Sequence, residues 1–419
     1  MSFNSTGPLR HRNFAWFWAG QSASIAGNGI FKVALPLEVL RLTGNPFDLA
    51  LVLAVDQIPT VLLLLIGGAL VDRISRRLIM LASDLVNGAV LLVLTLLIVT
   101  GQLALWHMLL FAFLSGTAIA VYLPASSAIV ADILPPPLLA AGNSMMSLSQ
   151  SVGQFLFGPL VGGVIVAVFG IDWGFGIDAL TFLASAGCLA MIRGLAAVLG
   201  TQKQSSVLTD VKVGLGYTRS RRWLWWNMIA IGIANLAAYL PLFVVLPLLV
   251  THSFKAGSVA LGLIYAGSGL GGVAASIYGK RSKTPARPLL TMWVTLAVGS
   301  LSVCLVGASP VIPLAVMFSA TMWAAVTYAN IVWFTELQAR VPSALLGRIM
   351  SLDLLFSIAL GPVAFFLGGL GADQFGARAT MIAGGLIATA TAVVAFVPRV
   401  LEPDELPVAD PALQTQSAS

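Results

Sequence analysis

Charge is scarce in this sequence. Only 9% of its 419 residues are Asp, Glu, Lys or Arg, where a soluble domain carries roughly 25%. Cysteine is nearly absent: Cys188 and Cys304 both lie inside apolar runs without metal-ligand spacing, so neither a disulfide framework nor a metal site is expected. Histidine is limited to His11, His107 and His252, and no nucleophile–His pair or metal cluster is visible. An enzyme is therefore not expected, nor any cofactor, metal or catalytic residue.

Apolar residues fill the space that charge leaves. They make up 58% of the chain, and the mean hydropathy is +0.96. No soluble fold has enough interior to hide this surface, so the solvent for most of the chain must be lipid. Backbone in lipid must satisfy its own hydrogen bonds, which leaves helices or closed barrels. The long unbroken apolar runs, such as 61–68 and 90–100, favour helices. The net charge of +6 and the pI near 9.6 then read as basic flanks of membrane spans rather than a nucleic-acid surface. The opening Arg10-His11-Arg12 with its apolar continuation resembles a signal peptide. However, the run continues to about Leu40 without a small-residue cleavage site, so it reads as the first span.

Gly, Pro and charge clusters divide the chain into twelve predicted helices: 14–42, 46–71, 78–100, 104–132, 138–169 and 171–194, then 223–251, 257–279, 288–308, 311–338, 343–371 and 376–398. The expected organisation is an N-terminal six-helix bundle (1–199), a cytoplasmic linker (200–222) with a short interfacial helix, a C-terminal six-helix bundle (223–398) and a disordered tail (399–419). All 22 Lys and Arg residues except Arg41, Lys255, Arg378 and Lys32 fall at one set of loops and span ends. That asymmetry places both termini in the cytoplasm and the protein in the cell membrane. Residues 67–77 align with 271–281, and Met146-Ser147-Leu148 aligns with Met350-Ser351-Leu352, both at an offset of 204. Gly158-Pro159 matches Gly361-Pro362 at an offset of 203, and Arg12 and Trp16 match Arg222 and Trp226 at 210. The order of these matches implies two parallel six-helix repeats about a central path.

Over essentially its whole length the chain resembles the major facilitator superfamily. Gly68, then Asp72-Arg73, then Arg76-Arg77 is similar to the superfamily's motif between the second and third helices, with Ser75 where the family prefers Gly. Leu35-Pro36-Leu37, Leu42-Thr43-Gly44 and Leu346-Gly347-Arg348-Ile349 resemble its bacterial macrolide-efflux and enterobactin-exporter branch. The fold this implies is an all-α membrane protein of twelve helices in two pseudo-symmetric bundles. Gly68 permits close helix approach, and Arg73, Arg76 and Arg77 sit at the level of the lipid phosphates. The resemblance implies a charge relay in which Asp132 meets Arg76 or Arg77. We expect a latch, centred on Asp72, that breaks when the cytoplasmic side opens; simple positive-inside anchoring is the alternative. Gly158-Pro159, followed by Gly162-Gly163, resembles the antiporter signature of drug exporters, although Gln154 replaces an upstream Gly. Small residues allow close approach there and Pro159 bends the helix; ordinary helix packing would use the same residues.

Ionisable residues at membrane depth point to function. Lys32 and Asp56 each lie twelve positions from the turn at Gly44, which puts both about 15–18 Å below it, near the midplane. They could neutralise one another, or exchange partners with a proton or a charged cargo, because an apolar setting favours the neutral acid. Glu38 could be a vestibule group or a rim residue facing water. Asp178 reads as a structural hydrogen-bonding group, and Asp84 and Asp353 as supports for the basic loops, for example with Arg77 or Arg348. The fourth helix lacks the arginine through which many relatives link to protons. Asn28, Gln57, Asn235, Tyr239, Tyr265, Trp323, Tyr328 and Asn330 are polar or aromatic groups on apolar walls, suited to amphipathic, often cationic, molecules. Among them Asn235 and Tyr239, one turn apart, are the chosen cargo contacts. The expected protein is a proton-coupled exporter of drug-like or siderophore-like molecules, acting as a monomer in the bilayer without nucleic acid. A metabolite transporter and a non-transporting sensor or assembly partner are the alternatives.

Overall fold

A computed structural model describes residues 7–71, 74–193, 207–239, 242–282 and 285–395; within these, residues 64–71, 127–128, 140, 207–211, 239 and 343–344 are described by backbone alone. The described residues form helices and connecting turns, with no strand. Twelve helices are long and apolar enough to cross a membrane. We number them α1 (Arg12–Thr43), α2 (Pro46–Val71), α3 (Arg76–Val99), α4 (Leu105–Ile133), α5 (Pro136–Phe169), α6 (Ile171–Met191), α7 (Arg222–Ser253), α8 (Ser258–Arg281), α9 (Pro288–Ala308), α10 (Ile312–Arg340), α11 (Leu345–Phe375) and α12 (Ala377–Val394). The predicted limits lie within four residues of these, because the chain stops where the sequence signals a stop. Gly44, for example, ends α1 at φ +67°, donating its N–H to the Leu40 carbonyl.

Within the first half α1 packs on α6, α2 on α4, and α3 on both α4 and α6; in the second half α8 packs on α10, and α9 on α10 and α12. The two halves meet along α2–α11 and α5–α8. The linker helix, Val207–Ser220, packs on α7 and on the adjoining half of α11. We call the end carrying this helix the linker end and the opposite one the far end.

The repeated Gly-Pro shows its effect in both halves. Proline has no N–H for the carbonyl four residues back, and its ring crowds that carbonyl. In α5 the backbone responds with a π-helical stretch, Gln150–Phe157, immediately before Gly158. In α11 the helix breaks after Ile358 and restarts at Gly361. Two further π turns, Asn235–Tyr239 and Leu249–Ser253, widen α7. Such turns often accompany functional sites in helices.

Candidate functional site

A cavity of about 1070 Å³ lies between the halves. It runs from the middle of the spans towards the linker end, where Asn143, Ser147 and Gln150 of α5 line it and are exposed. Its two walls differ in chemistry. The first half supplies amides, hydroxyls and acids, among them Gln21, Asn28, Asp56, Gln57, Asp84 and Tyr122, together with the rings of Phe31, Phe111, Phe155 and Phe182. The second half supplies Phe243, Tyr265, Trp323 and Phe365, all aromatic.

The glycine face of α5 closes the far end. A β-carbon on Gly158 would lie 2.6 Å from Gly29 Cα, and one on Gly162 would lie 2.7 Å from Ile30 Cα, so α5 and α1 touch backbone to backbone. On the other side a β-carbon on Gly262 of α8 would lie 2.5 Å from the Pro159 carbonyl oxygen and 3.2 Å from Gly163 Cα. The Ser258 hydroxyl donates to the Gly163 carbonyl at 2.8 Å. Across the second seam, Phe47 of α2 meets Phe366 of α11 edge-on, with centroids 5.3 Å apart. Pro159 and Gly163 of the antiporter-like motif thus form the α5–α8 contact between the halves, while Gly158 and Gly162 hold α5 on α1.

Lys32 and Asp56 both line the cavity, but they face different ways. The Lys32 ammonium lies over the rings of Phe155, Phe243 and Tyr265, at 4.4, 4.8 and 5.4 Å from their centroids. Asp56 turns to α4, with its carboxyl group against the Ser115 hydroxyl. Among the described residues no carboxylate lies within 4.0 Å of the Lys32 nitrogen, so of the two readings left open by the sequence the self-neutralising pair is not formed. Equal depth brought the two residues to one level, but rotation about the helix axes points them apart.

Other acids also depart from expectation. Glu38 is neither a vestibule group nor a rim residue facing water: it is fully buried, and Arg41 clamps it from Nε at 2.7 Å and Nη2 at 2.8 Å. Asp84 does not support the basic loops. It is buried beside the Ser185 hydroxyl, at the end of a chain in which Tyr122 donates to Gln21 and Gln21 donates to Ser185 at 3.2 Å. Arg77 instead caps α6 by donating to the Leu189 and Ala190 carbonyls at 2.7 and 2.8 Å. Asp353 accepts the Trp333 indole N–H at 3.0 Å. Asp178 is buried against Thr181 and the α-carbon side of Gly27, a structural setting.

Arg76 and Asp132 meet at 2.7 Å. This is the contact expected between Asp132 and the arginines at the start of α3, and it joins two spans of the same half. Asp72 and Arg73 lie outside the described residues, and Gly68 is described by its helical backbone alone. Asn235 faces away from the large cavity. It lines a separate cavity of about 530 Å³ between α7, α9, α10 and α11, and donates to the Ser357 carbonyl at 3.4 Å. The side chain of Tyr239 is outside the described set. Among the other candidates, Asn28, Gln57, Tyr265 and Trp323 line the large cavity, whereas Asn330 lines the smaller one and Tyr328 packs on Tyr278. Sequence reasoning missed Phe155 and Phe243. Phe155, three residues before Gly158, stood close enough to the motif to be found.

The sequence matches the family described as transmembrane secretion effector over residues 3–415. The chain belongs to this major facilitator family. The transporter is 28% identical to the multidrug efflux pump Tap of Mycolicibacterium fortuitum, over 96% of this chain and 99% of that one. It is 23% identical to macrolide efflux protein A of Streptococcus pyogenes (91% and 94% covered) and 25% identical to the enterobactin exporter EntS of Escherichia coli (86% and 86%). Its fold matches the nucleoside transporter NupG at a TM-score of 0.70 with 11% identity, covering 92% of this chain and 98% of that one. A POT family transporter matches equally, at 0.70 with 15% identity, over 94% and 96%. The transporter is thus a multi-pass membrane protein of the major facilitator fold.

Proposed function

We propose that the transporter exports bulky amphipathic molecules, drug-like or siderophore-like, across the cell membrane in exchange for protons. The observation that carries this is the cavity: about 1070 Å³, lined by aromatic rings from both halves and by amides and acids from the first, closed at the far end and open at the linker end. Pockets for ordinary drug-sized ligands span roughly 300–1,000 Å³, so the volume suits large cargo. With the linker and both termini cytoplasmic, as the basic residues indicate, this state loads from the cytoplasm. The relatives that move drugs, macrolides and enterobactin support the direction. Alternating access then needs the α5–α8 and α2–α11 seams to part while the linker end closes.

Asp56 is the proposed proton carrier. It lines the cavity at mid-depth, half-buried, with a hydroxyl rather than a cation beside it. Inverted vesicles test both parts. A macrolide or enterobactin should accumulate when the vesicle interior is acid, and Asp56→Asn should lose that dependence while the protein remains folded. Accumulation of neither compound would refute export of this class, and unaltered acid dependence in the variant would remove Asp56 from the coupling.

A further inference from the structure

The cavity holds a cation for which no counter-charge is supplied among the described residues. Lys32 lies towards the closed end, just below the α5–α8 seam, and three ring faces surround its ammonium group. Ring faces attract a cation, but they offer no hydrogen-bond acceptor of the strength of a carboxylate. A charge at membrane depth ordinarily finds an ionic partner. The cavity's own acids do not serve: Asp56 is turned to Ser115 on α4, and Asp84 ends the Tyr122–Gln21–Ser185 chain. Phe155 comes from the first half and Phe243 and Tyr265 from the second, so the cage straddles the path along which cargo must move.

We infer that the cargo carries an acidic group, received by the Lys32 ammonium, next to a planar or aromatic portion that lies against Phe155, Phe243 and Tyr265. This rests on reading the central cavity as the cargo site, and it narrows the class from amphipathic molecules to amphipathic organic acids. An anion arriving at Lys32 completes an ion pair in a site of reduced dielectric. A flat group bonded to that anion meets the parts of these rings that the ammonium leaves uncovered, and Trp323, which packs on Phe155 with centroids 5.4 Å apart. An organic cation has no equivalent seat, because Lys32 occupies the aromatic cage in which an ammonium group would otherwise sit. The amides of Asn28 and Gln57, which also line the cavity, can hydrogen-bond to the remainder of the molecule.

A charge series on one scaffold tests the inference: 1-naphthaleneacetic acid, 1-naphthaleneacetamide and 2-(1-naphthyl)ethylamine. Each is dialysed to equilibrium against the full chain in zwitterionic lipid nanodiscs, with empty nanodiscs subtracted. The acid should bind about tenfold more tightly than the amide, equivalent to about 1.4 kcal/mol, and the amine most weakly. Lys32→Met should abolish the acid's advantage and leave the amide's affinity within about twofold, whereas Lys32→Arg should retain it. The parent protein's own series decides the matter even if Lys32→Met fails to fold. Equal binding of all three, or tightest binding of the amine, would overturn the acidic cargo while leaving the cavity as a binding site. No binding by any of them would overturn it together with the reading of the cavity.

Discussion

Adding one methyl group to α8 should open the far end. In the closed seam a β-carbon at Gly262 would stand 2.5 Å from the Pro159 carbonyl oxygen, a backbone atom that cannot swing aside. Even close C–H···O contacts keep carbon and oxygen about 3.3 Å apart, so Gly262→Ala requires α8 and α5 to separate by roughly 0.8 Å. A gap of that size forfeits about a quarter to a half of the dispersion attraction along the contact, and overpacking of this kind costs about 1–3 kcal/mol. Once the seam has parted the methyl meets no such barrier. The cost therefore falls on the closed state alone and shifts the equilibrium towards far-end opening by about five- to 150-fold. A cysteine at Leu35, which lines the cavity beneath the seam, reports the shift in a background with Cys188 and Cys304 replaced by alanine. Its alkylation by a membrane-impermeant maleimide added to whole cells should accelerate in Gly262→Ala. Gly187→Ala is the control, because a β-carbon there meets nothing within 4 Å. Equal alkylation in Gly262→Ala, Gly187→Ala and the parent would refute the assignment of this seam as the far-end gate.

Two ion pairs give contrasting expectations. Arg41→Met leaves the buried Glu38 carboxylate without its donors and should lower stability by about 1–3 kcal/mol. Adding Glu38→Leu should restore most of that loss, read as unfolding temperature in detergent; a double variant no more stable than Arg41→Met would contradict the pairing. Arg76 and Asp132 are both partly exposed to solvent, and such pairs contribute about 1 kcal/mol or less. Asp132→Asn should accordingly shift the unfolding temperature only slightly, and it should leave alkylation at position 35 unchanged. A marked acceleration there would show that this pair does govern the switch.

The sequence made depth legible and left direction hidden. Hydropathy, glycine, proline and charge located every span, since each of these terminates or solvates a helix through its own residues. The repeated Gly-Pro was readable for the same reason, and it fell where α5 and α11 each lose regular helix. Glu38 was readable in part: Arg41 three residues on lies on the same helix face, and that local spacing predicts the clamp better than any argument from depth. Lys32 and Asp56 show where such reasoning stops. Counting from Gly44 fixes how far each lies from the turn, but one helix turn carries the side chain through a full circle in about 3.6 residues. Which sector faces the partner depends on how the helices are rotated when they pack. Here the Asp56 backbone carbonyl lies so close to Gly116 that a β-carbon there would overlap it. That close approach pins α2 on α4 with the Asp56 carboxyl group beside Ser115, one residue from Gly116. The α1 backbone is held against α5 at Gly29 and Ile30, which brings Lys32, two residues beyond, towards the rings. Those contacts span more than 50 residues of sequence on α2–α4 and more than 120 on α1–α5. No local periodicity encodes them, and they decide that the cavity's cation faces rings rather than its neighbouring acid.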